Sequence, residues 1–161
     1  MRRIQEYADG VEQATSQPFT PTLQIDAELK PSEVSRTLLR QVEMLYPFGT
    51  YNERPIFMTR SMRDAGGTRA VGKALQHLSL RMTDSYQRIR PLHGFALGLA
   101  RYAPEIIRHN AFALCFELEE NNIYPQSFLQ LRVKDLCLES ELSERLKDCL
   151  LYTSPNPRDV E

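Results

Sequence analysis

The sequence contains no run of 18 or more apolar residues, and its start, Met1-Arg2-Arg3-Ile4-Gln5-Glu6, lacks the apolar stretch that a secretion signal needs. Neither a membrane-spanning helix nor a signal peptide is expected, and the expected location is the cytoplasm. Cysteine is scarce. Cys115, Cys137 and Cys149 are odd in number, widely spaced and set among apolar residues. This argues against a disulfide framework or a Cys-rich zinc site and in favour of reduced core thiols. Net charge is also nearly absent, at -1 with a pI near 6.3, whereas a nucleic-acid-binding domain is usually basic overall. Strand signals are few, and there is no repeat of fixed period and no low-complexity tract.

What the chain does have is the composition of a soluble globular sequence: 161 residues, 42% of them hydrophobic and 25% charged, enough for one ordinary domain or part of a larger one. Its charge is unevenly spread. Arg54 to Arg101 hold eight arginines and Lys73 against only Asp64 and Asp84. The compensating acids lie in Glu117-Leu118-Glu119-Glu120 and from Asp135 to Asp148. A basic stretch of this length suits phosphate contacts or a solvated surface equally well.

Along the chain, residues 10–31 carry Gly10, Pro18, Pro21 and Pro31 and read as irregular or edge-strand structure. Val34, Leu38, Val42 and Leu45 then recur at three- and four-residue steps, which predicts an amphipathic helix from Ser32 that Pro47 and Gly49 end. Further helices are expected around Ile56 to Met62, stopped by Gly66-Gly67, around Ala70 to Leu75, and from Ser79 through Met82 and Tyr86 to Pro91. The stretches 92–103, 105–120, 126–135 and 141–151 read as helical too, separated by Pro104, Asn121-Asn122 and Pro125. The expected fold class is therefore mainly α. Cys149 to Glu161 looks like translated sequencing-adapter read-through, on which reading the chain is expected to be a fragment.

The segment richest in chemistry is Tyr51-Asn-Glu-Arg54, then Gly66-Gly67, then Leu75-Gln76-His77-Leu-Ser79-Leu80-Arg81-Met82-Thr83, closing on Tyr86. It resembles the C-terminal part of the catalytic domain of the tyrosine site-specific recombinase (phage integrase) family, with its H-x-x-R, glycine turn, L-G-H and nucleophilic tyrosine. Arg54 lies 23 residues before His77 and Tyr86 nine after it, as in that family.

The resemblance implies cleavage and rejoining of DNA strands through a 3′-phosphotyrosyl intermediate. Tyr86 would be the nucleophile, Arg54 would hold the phosphate with a planar two-donor fork, and His77 would donate a hydrogen bond or shuttle a proton. Tyr51 stands where the family has the histidine of H-x-x-R, and Gln76 where it has the glycine of L-G-H. The family's first arginine and its lysine would lie upstream of this chain or near its start, and Lys30 is too close to Arg54 to be that lysine, so the active site is expected to be incomplete. Arg60, Arg69, Lys73 and Arg81 are the expected DNA contacts. The implied partners are double-stranded DNA and further copies of the chain, with no cofactor, no metal, no membrane and no small-molecule substrate.

The organisation that follows is an irregular segment over 1–30, the recombinase part over 31–90, a helical extension over 91–148 and a non-native tail over 149–161. The alternative is a non-catalytic helical module for protein interaction or DNA binding, in which Arg54, His77 and Tyr86 are incidental. A metal site from His77, His93 and His109 is set aside, because sixteen-residue intervals provide no close ligand pair.

Overall fold

The computed structural model describes residues 23–123 and 126–142, and the 149–161 tail lies outside them. Within these residues the chain is built mainly from strands, which overturns the mainly α expectation. In order come β1 (Ala27–Glu28), helix α1 (Arg36–Glu43), β2 (Phe57–Asp64), β3 (Arg69–Val71), β4 (His77–Asp84), β5 (Leu92–Ala96), the short helix α2 (Ala103–Ile107), β6 (Phe112–Ile123) and β7 (Gln126–Leu138). No helix among the described residues is long and apolar enough to cross a membrane.

The expected first helix is present. Ser35 caps it by accepting a hydrogen bond from the Leu38 N–H at 3.2 Å, and Leu39 and Val42 are buried. Elsewhere the period of two prevails over the helical reading. In β4, Leu78, Leu80 and Met82 are buried while His77, Ser79 and Arg81 alternate with them on the other face. In β6, Phe112, Leu114, Phe116 and Leu118 point inward. In β7 the inward set changes from Leu131 and Val133 to Leu136, because Cys115 pairs with Asp135 but Phe116 with Val133, which leaves Lys134 as an extra residue. That bulge breaks the alternation along one of the longest strands.

Neighbouring strands run in the order β1-β2-β6-β7-β5-β4-β3, and β2 also pairs with β4 through Met62, Arg63 and Asp64 opposite Asp84, Thr83 and Met82. This second pairing closes β2, β4, β5, β7 and β6 into a five-stranded barrel. All of its pairings are antiparallel except β5 with β7. Met62, Leu78, Leu80, Met82, Leu114, Phe116, Leu118 and Leu131 are nearly inaccessible inside it, each contributing about 1.5–3 kcal/mol on transfer from water. The connection from β5 to β6 carries α2, whose Ile106 and Ala103 join the same core. Residues 31–90 and 91–138 supply strands to one sheet, so the region expected to form a helical extension holds three of the five barrel strands.

Candidate functional site

Strand register decides which side chains share the outer surface. Across β3, β4, β5, β7 and β6, one row reads Arg69, Ser79, Phe95, Arg132 and Glu117, and the adjacent row reads Arg81, His93, Gln130 and Glu119 across β4 to β6. Strands lie ~4.8 Å apart, so each row presents closely spaced groups on a shallow wall. The rings pair on this wall. His77 lies 6.0 Å from Phe95, tilted by 52°, and His93 lies 5.7 Å from Phe128 in an edge-on arrangement. His77 is oriented further by the Gly98 N–H, which donates to its Nδ1 at 3.2 Å. Gly72, in the turn between β3 and β4, has φ +95°, and a Cβ there would come within 2.9 Å of the His77 ring. A glycine is therefore needed behind that ring.

The arginines of the wall have no carboxylate partner among the described residues. Among the described residues the ion pairs are Arg54–Glu43, Arg60–Glu28, Arg108–Glu105 and Lys134–Glu117, and none involves Arg69, Lys73, Arg81 or Arg132. The Arg81 guanidinium donates to the carbonyls of Ala65 and Gly66. Beside Phe95 lies a cleft of about 380 Å³ lined by Phe95, Leu97, Glu119, Arg132, Val133 and Lys134.

The residues implied by the recombinase resemblance are not brought together. His77 opens β4 and Tyr86 lies just past the other end of that strand, whose two ends are roughly 23 Å apart at ~3.3 Å per residue. Tyr86 is 74% exposed with the Arg88 guanidinium 4.3 Å over its ring. Arg54 ties α1 to the barrel: it pairs with Glu43 at 2.8 Å, donates to the Leu118 carbonyl at 2.8 Å and stacks 4.5 Å over Phe48. Tyr51 is fully exposed beside the turn formed by Gly49 and Asn52. Of the expected DNA contacts, Arg60 is paired with Glu28 at the β1–β2 edge and Lys73 lies exposed in the turn before β4. Arg69 and Arg81 stand on the ring-bearing wall. Among the described residues no group of three or more His, Cys, Asp or Glu could hold a metal ion.

The family comparison decides the assignment. The RecJ OB domain family matches residues 25–135, most of the barrel. The chain belongs to the RecJ OB domain family. The match replaces the recombinase resemblance and, with it, strand exchange, integration and the phosphotyrosyl chemistry that the resemblance implied. The 23-residue spacing spans β2 and β3, and the nine-residue spacing spans β4.

No curated protein matches the sequence. Among solved structures, the OB barrel is similar to RecJ from Thermus thermophilus in complex with Mn2+, with a TM-score of 0.60 and 16% identity, over 84% of this chain and 19% of that one. The same protein in complex with Mg2+ gives 0.59 and 16%, over 84% and 20%. The chain thus corresponds to about a fifth of the length of those RecJ chains.

OB folds bind oligonucleotides and oligosaccharides on the face of their second and third barrel strands. In this OB domain those strands are β4 and β5. The sequence reading missed His93, Phe95, Phe128 and Arg132. Their signal was present in Leu92-His93-Gly94-Phe95-Ala96 and in Phe128-Leu129-Gln130-Leu131-Arg132-Val133, where polar or aromatic residues alternate with apolar ones.

Proposed function

We propose that this OB domain binds single-stranded nucleic acid along the wall formed by β4, β5 and β7. One observation carries the reading: four rings, His77, His93, Phe95 and Phe128, stand in two contacting pairs on the outside of the barrel, among arginines that no carboxylate neutralises. Aromatic side chains serve as platforms for unstacked bases, while arginines track the backbone phosphates and stack on base faces. A duplex keeps its bases stacked inside and offers nothing to such rings, so the single strand is favoured over the double-stranded DNA first expected. Arg69, Arg81 and Arg132 are the phosphate contacts on this reading, with Lys73 at the edge. In a longer RecJ-type protein the domain would hold the strand for the remaining parts of the chain.

The reading is tested by fluorescence anisotropy of the 161-residue chain with a labelled thymidine 12-mer and with a duplex of the same length. Tighter binding of the single strand, weakening steeply with salt, is expected. Equal or tighter binding of the duplex, or no binding at low salt, refutes it.

A further inference from the structure

The cleft beside Phe95 contains a group that backbone binding does not call for. Its lining combines Phe95, Leu97 and Val133 with Arg132, Lys134 and the acidic residue Glu119. An anionic side chain on a phosphate-binding wall weakens non-specific attraction. The two outward carboxylates of β6 also differ. Glu117 is spent on Lys134 at 2.9 Å, whereas Glu119 has no cationic partner among the described residues. Glu119 is instead held by amides: Asn121 Nδ2 donates to Gln130 Oε1, and Gln130 Nε2 donates to Glu119 Oε1 at 2.9 Å. This relay fixes the carboxylate in place and leaves its charge available. The Gln130 bond uses one lone pair, so both oxygens can still accept.

Resting on the single-strand reading above, we propose that this cleft is a guanine subsite. A carboxylate accepts hydrogen bonds and donates none, so it selects bases by the donors on their exposed edge. Guanine presents two adjacent donors, N1–H and the N2 amino group, matching the two oxygens of one carboxylate. Thymine presents a single N–H, and adenine and cytosine a single amino group next to acceptors that a carboxylate repels. Phe95 and Leu97 supply the apolar wall for the base plane, and Arg132 lies where the flanking phosphate would enter. Glu119 is then a specificity-determining residue, and Gln130 and Asn121 position it.

The test compares a thymidine 12-mer with the same strand carrying three isolated guanines, and with hypoxanthine in place of each guanine to delete only the N2 amino group. The wild-type chain is expected to bind the guanine strand about tenfold more tightly than the thymidine strand, which is ~1.4 kcal/mol. Hypoxanthine should remove most of that gain. Glu119→Gln, close in shape, should bring the guanine and thymidine strands within about twofold of each other without weakening thymidine binding. Equal binding of guanine and thymidine strands by the wild-type chain, or a preference that survives both hypoxanthine and Glu119→Gln, overturns the guanine subsite and leaves single-strand binding standing. Failure to bind any strand overturns both.

Discussion

Replacing Phe95 by alanine isolates the stacking contribution from the electrostatic one. Phe95 lies outside the barrel and is only partly buried, touching the His77 ring at 6.0 Å, while its neighbours Gly94 and Ala96 face the core. Removing the ring therefore deletes a platform and leaves the interior packing intact. Base–aromatic stacking contributes about 1–3 kcal/mol per base in alanine substitutions. One base on Phe95, at a middle value of about 2 kcal/mol, corresponds to a roughly 30-fold higher Kd. The assay is anisotropy with a thymidine 12-mer over a series of salt concentrations. Each phosphate contact adds about 0.7 to the slope of log K against log salt for a single strand. Phe95→Ala should lower the whole line and keep its slope. Arg132→Ala, which removes a cation with no ion-pair partner among the described residues, should make the slope shallower by about 0.7. A Kd for Phe95→Ala within about twofold of wild type, with unchanged circular dichroism, would refute the stacking role, since the smallest stacking contribution predicts about fivefold. A slope that falls as it does for Arg132→Ala would refute the separation of the two roles.

Three further outcomes test the fold. Gly94→Ala would set a methyl 2.6 Å from Met82 Cε in the barrel interior; the flexible end of Met82 can move, so a loss of about 1 kcal/mol is expected in urea unfolding, and an unchanged midpoint would contradict the packing. The Asp84 carboxylate is pushed up by desolvation, but the backbone N–H groups of Ile89, Arg88 and Tyr86, with the Arg88 charge, outweigh that and hold it below the usual carboxylate range. Its stabilising contribution is present above the unfolded carboxylate pKa of about 3.9 and fades as pH falls through the lower folded value, so the stability gap between wild type and Asp84→Asn should shrink on acidification and not widen. Burial, followed by the nearby Asp135 and Cys137, pushes the Cys115 thiol up to about 11, leaving roughly one thiol in a thousand ionised at pH 8; iodoacetamide should label it far more slowly in the native chain than in urea, as read by peptide mass mapping, and equal rates would contradict its place in the wall.

Helix α1 was legible from its sequence because Val34, Leu38, Val42 and Leu45 recur at helical steps before Pro47, although the helix begins at Arg36, behind the Ser35 cap, and not at Ser32. The strands were misread for a geometric reason: a step of four residues keeps to one face in a helix and in a strand alike. Leu78 with Met82, and Leu114 with Leu118, fit both structures. Only the residue between them decides, and Leu80 and Phe116, both buried, select the strand. In β7 even that signal fails at Lys134, where the bulge moves the inward positions by one. Arg69, Lys73 and Arg81 were singled out because the basic stretch is contiguous along the chain. The grouping of the rings was not legible, because His77, Phe95 and Phe128 come from three strands that meet only through the register of a closed sheet.

A net charge of -1 spoke against nucleic acid only as long as the charges were counted along the chain. Folding sorts them. Glu28, Glu43, Glu105 and Glu117 each take a cation out of play, and none of the four cations involved, Arg54, Arg60, Arg108 and Lys134, stands in the two rows of the wall. Arg69, Arg81 and Arg132 have no such partner among the described residues and occupy the two rows that also hold His93 and Phe95. At physiological salt, fields between exposed charges decay over about 8 Å, so a strand lying on β4, β5 and β7 meets those arginines at contact distance while the more distant acids are screened. The balance that matters to the ligand is the one within a Debye length of the wall. Of the two carboxylates in those rows, Glu119 is the one without an ion pair among the described residues, and on the reading proposed above its charge selects a base rather than attracting phosphate.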